Sequence, residues 1–358
     1  MDTLTEYGAD EGFFAEAALY PDWHLARITA QHKGLYRAIT EQGEILAEIS
    51  GKFRHAASVL SHYPAVGDFT MLSLPDVGNA GHAVIHRVLQ RKSAFTRSAV
   101  SFEEQTQIVA ANIDIVFICM SLNNDYNPSR LERYLSVAWN SRALPVLILT
   151  KSDLCANFSQ VLDEISTIAP GVDALATSIN NEASYGALRS YIKAGKTASF
   201  IGSSGVGKST LVNRLAGKEV LRTSHIGQDD KGMHTTTHRE LLLLPQGGMV
   251  IDTPGMRELG AESANLSQSF ADIVELATHC RFDNCMHGAE PGCAVKQALE
   301  TGRLDKRRWA NYQKVKKEIR YQGLSSRQLE AEKLNGMFES FGGMKKIRSF
   351  IRNNDKRR

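Results

Sequence analysis

Residues 202–210, Gly-Ser-Ser-Gly-Val-Gly-Lys-Ser-Thr, have the spacing of a phosphate-binding loop. Gly202 and Gly207 let the backbone wrap closely around an anion. The N–H groups across Ser203, Ser204, Gly205 and Val206 can then point at phosphate oxygens. The run from Ser209 and Thr210 to Gly217 reads as a helix whose N-terminal dipole favours the same charge. Lys208 is placed to bridge the β and γ phosphates of a nucleoside triphosphate, and Ser209 to ligate Mg2+.

Further along, Asp252-Thr-Pro-Gly255 follows an apolar strand-like run. Asp252, at the strand end, can hold Mg2+ through a water, and the Gly255 N–H can sense a γ-phosphate. Between these motifs lies Lys231-Gly-Met-His-Thr-Thr-Thr-His238. One threonine of Thr235, Thr236 and Thr237 can place its hydroxyl on Mg2+ only while the γ-phosphate is present. Thr236 is the favoured one.

Thr150-Lys151-Ser152-Asp153 closes another apolar run, Leu-Pro-Val-Leu-Ile-Leu. The Asp153 carboxylate can accept from N1–H and the 2-amino group of guanine. Adenine lacks that pair of donors, so the loop selects GTP over ATP. The Lys151 stem would cover the base. Thr150 stands where Asn is usual, and its hydroxyl can supply one bond at most. Ala176-Thr177-Ser178 fits a loop whose backbone touches the guanine O6.

The base-reading loops thus precede the phosphate loop, the reverse of ordinary GTPases. A cyclic shift of the chain explains this without altering the site, because chain ends often lie close together. The switch around Asp252 then runs directly into the C-terminal segment, so its movement would pass to whatever follows Gly260. Met256 stands where Ras-like enzymes orient the attacking water with Gln. Slow intrinsic hydrolysis is expected unless another group acts. His234 is the first candidate, since imidazole can orient or deprotonate water near neutral pH. His238 is the second.

The five cysteines divide into two groups. Cys119 and Cys155 sit beside apolar segments and read as small buried hydrophobes. Cys280, Cys285 and Cys293 cluster around His287, a closed tetrahedral zinc set with no open position for catalysis. Folding of so short a segment would depend on the metal, whose binding is worth about 10–16 kcal/mol in zinc-finger peptides.

These motifs need elements to position them. Residues 1–33 read as a leader with one short helix. Residues 34–105 show short strand-like runs, among them Gly-Lys-Phe-Arg-His-Ala-Ala from Gly51, separated by glycines. They predict a small antiparallel barrel, OB-like or SH3-like. Residues 106–262 alternate strand and helix and predict a mostly parallel sheet with helices on both faces. Asn127-Pro128 starts one helix, and Gly195 caps another. Residues 263–358 hold the metal cluster and basic helices. The fold class expected is multidomain α/β.

The chain of 358 residues is 42% hydrophobic and carries a net charge of +3. From Gly302 to Arg358 there are 17 basic and 6 acidic residues, a local +11, which leaves −8 on the remainder. A basic tail on an acidic body suits a polyanion such as RNA. Lys306, Arg307, Arg308, Lys314, Lys316, Lys317 and Arg320 interleave with Trp309 and Tyr312, which suits RNA backbone and base stacking. Packing of the two aromatics on an inner helix face is the equal alternative. No apolar run spans a membrane and no secretory signal is seen. A cytoplasmic monomer is expected.

The permuted order of these motifs, with a barrel in front and a metal knot behind, resembles the ribosome-small-subunit-dependent GTPase A family from about residue 34 to 320. The resemblance implies a GTP/GDP-binding, Mg2+-dependent hydrolase with one structural Zn2+ on Cys280, Cys285, His287 and Cys293. It implies a late maturation factor of the small ribosomal subunit, bound to its rRNA and stimulated by that subunit, with His234 in catalysis. An RNA-binding scaffold with GTP as a structural ligand is the competing reading. ATP-dependent transport or kinase chemistry is poorly supported.

Overall fold

The computed structural model describes residues 2–32, 34–75, 81–98, 106–123, 126–221, 239–252, 266–288 and 290–320. Helices α1 (Thr3–Glu6) and α2 (Glu11–Ala17) open the chain, each capped by an aspartate side chain, Asp2 and Asp10. Strands β1 (His24–His32), β2 (Leu35–Thr40) and β3 (Gly43–Ile49) follow, then helix α3 (Gly51–Ala56), then β4 (Phe69–Ser73) and β5 (Ala83–Val88). The strand order is β1-β2-β3-β5-β4, and β4 returns to pair with β1, which closes the barrel. Only the β3–β5 pairing is parallel. Five closed strands make an OB-like barrel. Its interior mixes small and large side chains, with Ala26, Ala38 and Ala47 beside Ile28, Tyr36 and Ile85.

Two expectations change here. The barrel begins at His24, inside the supposed leader and ahead of the boundary at 34. Leu25–Ala30 is buried on both faces, with Ala26 and Ile28 inward and Leu25 against Leu4 and Phe13. It therefore lacks the alternation that marks a half-exposed strand. The segment from Gly51 is helix rather than strand, because the Ser50 hydroxyl caps it by accepting from Phe53 N at 3.0 Å.

Strands β6 (Ala94–Ser98) and β7 (Thr106–Ala111) pair antiparallel. The α/β region runs β8 (Ile115–Ser121), α4 (Pro128–Asn140), β9 (Leu144–Thr150), α5 (Phe158–Ile168), β10 (Ala174–Ala176), α6 (Ser184–Tyr191), β11 (Thr197–Ile201), α7 (Lys208–Ala216), β12 (Arg239–Leu243) and β13 (Met249–Asp252). Asn127 caps α4 as expected, accepting from Arg130 N. Helix α6 ends at Tyr191 with Ile192 in the cap position, so Gly195 caps nothing; it forms a turn at φ +74° against Thr5.

The sheet order is β10-β9-β8-β11-β13-β12, parallel except for β12. Along β8, Val116, Ile118 and Met120 face α4 and α5 (Leu131, Leu135, Ile165). Ile115, Phe117 and Cys119 face α6 and α7 (Leu188, Leu211, Leu215). Burial on both faces accounts for the unbroken apolar run in the sequence.

β12 also pairs with β1, so one 11-stranded sheet joins the α/β region to the barrel. The joint is locked by Arg27, which is 1% exposed. It donates to Gly67 O at 3.2 Å, Asn112 O at 3.1 Å and Thr197 Oγ1 at 2.9 Å. Burial lowers its pKa to about 10, so it stays charged near neutrality.

Helices α8 (Leu266–Ser269), α9 (Ala271–Thr278), α10 (Ala294–Glu300) and α11 (Lys306–Arg320) gather around Phe270, Ile273, Val295 and Tyr312. Among the described residues no helix is long and apolar enough to cross a membrane.

Candidate nucleotide site and metal cluster

In the parallel part of the sheet the strand order reverses between β8 and β11. From β8 the chain winds outward through β9 and β10; it re-enters beside β8 at β11 and winds the other way to β13. Open α/β sheets bind ligands at such a reversal, outside the carboxyl ends of the strands. The glycine-rich loop leaves β11 at that point. Gly202 has φ +147°, and a Cβ there would lie 2.5 Å from Cys119 O on β8. Gly205 and Gly207 have φ +73° and +103°. The sequence folds this way because only glycine combines close strand contact with these dihedrals.

Helix α7 begins at Lys208, with Ser209 and Thr210 half-buried in its first turn. Lys208 Nζ donates to Gly202 O at 2.7 Å and Ser203 O at 2.6 Å, so its ammonium lies over the loop. Ser204 and Gly205 are exposed, and Val206 is buried beneath. Cys119, under the loop, is no nucleophile: burial pushes its thiol up to about 12 despite the nearby Lys208 charge.

The Thr150 loop leaves β9, adjacent to β8. Thr150 is buried, and its hydroxyl donates to Val206 O at 2.7 Å. The single bond expected of it therefore joins the two loops. Lys151 adopts a left-handed φ of 56°, and its Nζ reaches Gly205 O at 3.1 Å. Its stem thus crosses toward the phosphate loop.

Asp153 is held by neighbours from the next loop. Ser178 Oγ donates to Oδ1 at 2.6 Å and Asn180 Nδ2 to Oδ2 at 3.3 Å. The Ser178 hydrogen bond, then a backbone N–H, lowers its pKa below the usual carboxylate value, so it remains an acceptor. Ser152 Oγ donates to Thr177 O at 3.2 Å, and Thr177 N donates to Leu149 O at 2.8 Å, which ties Ala176–Ser178 to the same corner. Asn180 was not anticipated from sequence. An Asn in the loop beyond a short strand gives no local signal of that contact, and only the folding of its loop onto Asp153 reveals it.

Asp252 is half-buried at the end of β13, which pairs with β11. Ser199 of β11 donates to Ile251 O at 3.1 Å, fixing that strand end beside the loop. Ser209, in the first turn of the helix that follows β11, and Asp252, at the end of the neighbouring β13, both offer oxygen donors of the kind Mg2+ takes. His234, Thr235, Thr236, Thr237, His238, Gly255 and Met256 lie outside the described residues.

Cys280, Cys285, His287 and Cys293 converge, with all four ligand atoms within 4.8 Å of one another. Cys280 and Cys293 Sγ are 3.9 Å apart, and each is 3.5 Å from His287 Nδ1. A tetrahedral zinc with bonds of about 2.3 Å to sulfur and about 2.0 Å to nitrogen places its ligand atoms about 3.5–3.8 Å apart. The donor set and spacing fit zinc. His287 takes φ 62°, and Glu290 accepts from Met286 N and Gly288 N, which shapes the turn. The Trp309 ring lies 5.7 Å from the His287 ring, edge-on.

Helix α11 turns one face inward rather than presenting all its basic and aromatic residues to RNA. Tyr312 is buried against Phe270, and Trp309 packs on the same core. Arg308 is buried too. It donates to both Asp272 oxygens at 2.8 and 2.6 Å, to Glu132 Oε1 at 2.9 Å and to Ser269 O at 3.0 Å. Arg307 lies 3.6 Å from Glu132 and 3.9 Å from Glu164. Of the basic residues expected to meet RNA, Lys306, Lys314, Lys316 and Lys317 remain exposed on α11.

A sequence model of the RsgA GTPase family matches residues 88–262. "Small ribosomal subunit biogenesis GTPase RsgA 2" of Lactiplantibacillus plantarum is 44% identical over 346 residues, covering 96% of this chain and 97% of its own. "Small ribosomal subunit biogenesis GTPase RsgA 1" of Listeria innocua is 44% identical over 89% of this chain and 90% of its own. The crystal structure of YjeQ from Thermotoga maritima has a TM-score of 0.60 at 27% identity, covering 83% of this chain and 98% of that one. YloQ, described as a circularly permuted GTPase, shares the fold with a TM-score of 0.58 at 24% identity, over 83% and 95% of the two chains. With relatives this similar over nearly its whole length, the chain belongs to the RsgA GTPase family, enzymes that hydrolyse GTP.

Proposed function

We propose that this GTPase acts as a switch on the small ribosomal subunit, assisting its late maturation. The observation that carries the reading is the Thr150–Val206 hydrogen bond at 2.7 Å, which joins base loop and phosphate loop despite their inverted order. Relatives named for small-subunit biogenesis at 44% identity support the choice of partner. The protein works as a cytoplasmic monomer that contacts rRNA.

The loop contacts of Thr150, Lys151, Asp153 and Lys208 support the following residue roles. Asp153 reads guanine, with Lys151 over the base and the Ala176–Ser178 backbone at O6. The amides from Gly202 to Gly207, with Thr210 behind them, cradle the phosphates, and Lys208 leaves its loop carbonyls for the β and γ oxygens. Ser209 and Asp252 would hold Mg2+, with Thr236 joining when GTP is bound, and the ion would supply positive charge against that developing on the phosphates. The Gly255 amide senses the γ-phosphate, and His234 orients the attacking water in place of the Gln that Met256 replaces. Zinc on Cys280, Cys285, His287 and Cys293 is structural, holding α11 through Trp309.

The test is GTP turnover with and without purified small subunits, with Lys208→Ala as the inactive control. Stimulation by the small subunit alone is expected, and His234→Ala should remove most of it. GTP-dependent binding without any stimulation would overturn the switch and favour the scaffold reading.

A further inference from the structure

A cavity of about 210 Å3 lies where three parts of the chain meet. The turn between α1 and α2 forms one side, at Gly8 and Asp10. The barrel forms the second through Arg27, and the α/β region the third through Asp114 and Lys196. Lys196 directly precedes β11, so the cavity is at the opposite end of that strand from the phosphate loop. Junctions of this kind are where small-molecule sites are preferentially built. One water takes about 10–15 Å3 of such space, so the cavity has room for a molecule of several heavy atoms.

The buried wall is the Arg27 guanidinium. Its five N–H groups go to Gly67 O, Tyr7 O, Met249 Sδ, Asn112 O and Thr197 Oγ1, all of them neutral acceptors. Among the described residues no carboxylate comes within 4.0 Å of it: Asp68 pairs with Arg91, and Asp114 with Lys196. A buried charge without a counter-charge is costly, and an anion in the adjoining cavity offsets that cost. On the solvent side stand two exposed ammonium groups, Lys92 and Lys196. Each has one carboxylate partner, Asp10 for Lys92 and Asp114 for Lys196. An ammonium has three donors, so two remain on each. Burial and the Lys196 charge lower the Lys92 pKa against the pull of Asp114, so the two groups are close enough to repel. Three cations and two carboxylates leave the lining at +1. A single negative charge matches that balance. A carboxylate also brings two oxygens for the two ammonium groups and a carbon body for the Phe13 and Phe69 rings of the lining. Phosphate carries more charge and would press against Asp10 and Asp114, and chloride would fill little of the space.

We propose that this cavity binds a short-chain carboxylate, with its oxygens on the Lys92 and Lys196 ammonium groups and its charge facing the buried Arg27 guanidinium. The bound anion ties the N-terminal helices, the barrel and the α/β region together at one point. The site goes beyond the function above and does not depend on it.

The experiment uses the full chain with GDP in excess, so that the phosphate loop is occupied, and sodium acetate as the probe. Saturation transfer from protein to the acetate methyl protons in NMR reads binding directly. A dissociation constant of about 1 mM suits a ligand of so few heavy atoms. Lys92→Gln with Lys196→Gln should weaken it at least about tenfold. Lys92→Arg with Lys196→Arg keeps both charges and should retain most of it. Acetate at ten times its dissociation constant should also raise the thermal midpoint by about 2 °C over sodium chloride of equal ionic strength, and the double Gln variant should lose that rise. Basal GTP turnover reports that each variant is folded. Lys196→Gln alone, at an exposed position, carries the test if the double variant does not fold. Absence of saturation transfer in the unaltered protein overturns the proposal, as does unchanged acetate affinity in the Gln variants. Displacement of acetate by equimolar chloride overturns it as well, because the cavity would then be a halide site.

Discussion

Asp153, the proposed reader of guanine, is a carboxylate already oriented by Ser178 and Asn180. Asp153→Asn removes an ionised acceptor, so GTP affinity should fall about 10- to 100-fold. Xanthine nucleotide should gain in return. Both are read by competition against a fluorescent GDP. Thr150→Val keeps the shape and deletes the hydroxyl that binds Val206 O. Its cost should be smaller, about 0.5–1.5 kcal/mol, seen as faster GDP release. The pH dependence has a definite sign. The pKa of Asp153 is lowered, so base recognition holds through the ordinary carboxylate range and fails only as pH falls through the lowered value. Ser178→Ala removes the first cause of that lowering. The acid limb of GTP affinity should therefore move to higher pH, which a titration of affinity against pH detects.

Helices α4 and α11 are joined by charge rather than by apolar contact alone. Glu132 of α4 is 1% exposed and is paired by Arg308 and Asn311 of α11. Removing Arg308 leaves the buried Glu132 carboxylate with only the Asn311 amide and Arg307 at 3.6 Å, so Arg308→Ala should cost up to about 3–5 kcal/mol in urea denaturation. Adding Glu132→Leu to that variant should recover part of the loss, because the orphaned charge is then gone. Asp272 of α9 binds the same guanidinium and ties α11 to α9. Burial raises its pKa, but the Arg308 hydrogen bonds and charge outweigh burial, and the net pKa is lowered. Docking strength from this pair is present at and above the ordinary carboxylate range and is lost as pH falls through the lowered value. The denaturation midpoint measured against pH should drop there, and Asp272→Asn should flatten that drop. In sequence, Arg308 is one of a run of identical-looking cations. Helical spacing alone does not say which of them turns inward, since that depends on where Glu132 arrives from another part of the chain.

At the scale of the molecule, the barrel and the α/β region share a sheet through β1 and β12, and α11 docks on α4 through Arg308 and Glu132. The metal and nucleotide sites are built from separate cores. Chelation with EDTA should therefore loosen α8–α11, seen as new protease cuts beyond residue 266, while GTP binding measured with Mg2+ in excess survives. Loss of both together would mean that the zinc module supports the nucleotide site directly.

The sequence by itself determined the GTPase class and the local geometry of its loops. Glycines at 202, 205 and 207, the Thr150–Asp153 loop and the Cys/His cluster are local patterns, and the dihedrals or ligand atoms they need are carried by the residues themselves. It also determined the α/β layering, because strands buried on both faces must read as apolar runs. Other features were settled only in three dimensions. β1 is hidden in sequence because helices α1 and α2 bury its outer face, which erases the alternation that marks a strand. The Asn180 contact, the inward turn of Arg308 and the cavity beside Arg27 each join residues from separate segments. Such pairings depend on where the chain crosses itself, and no local pattern encodes that.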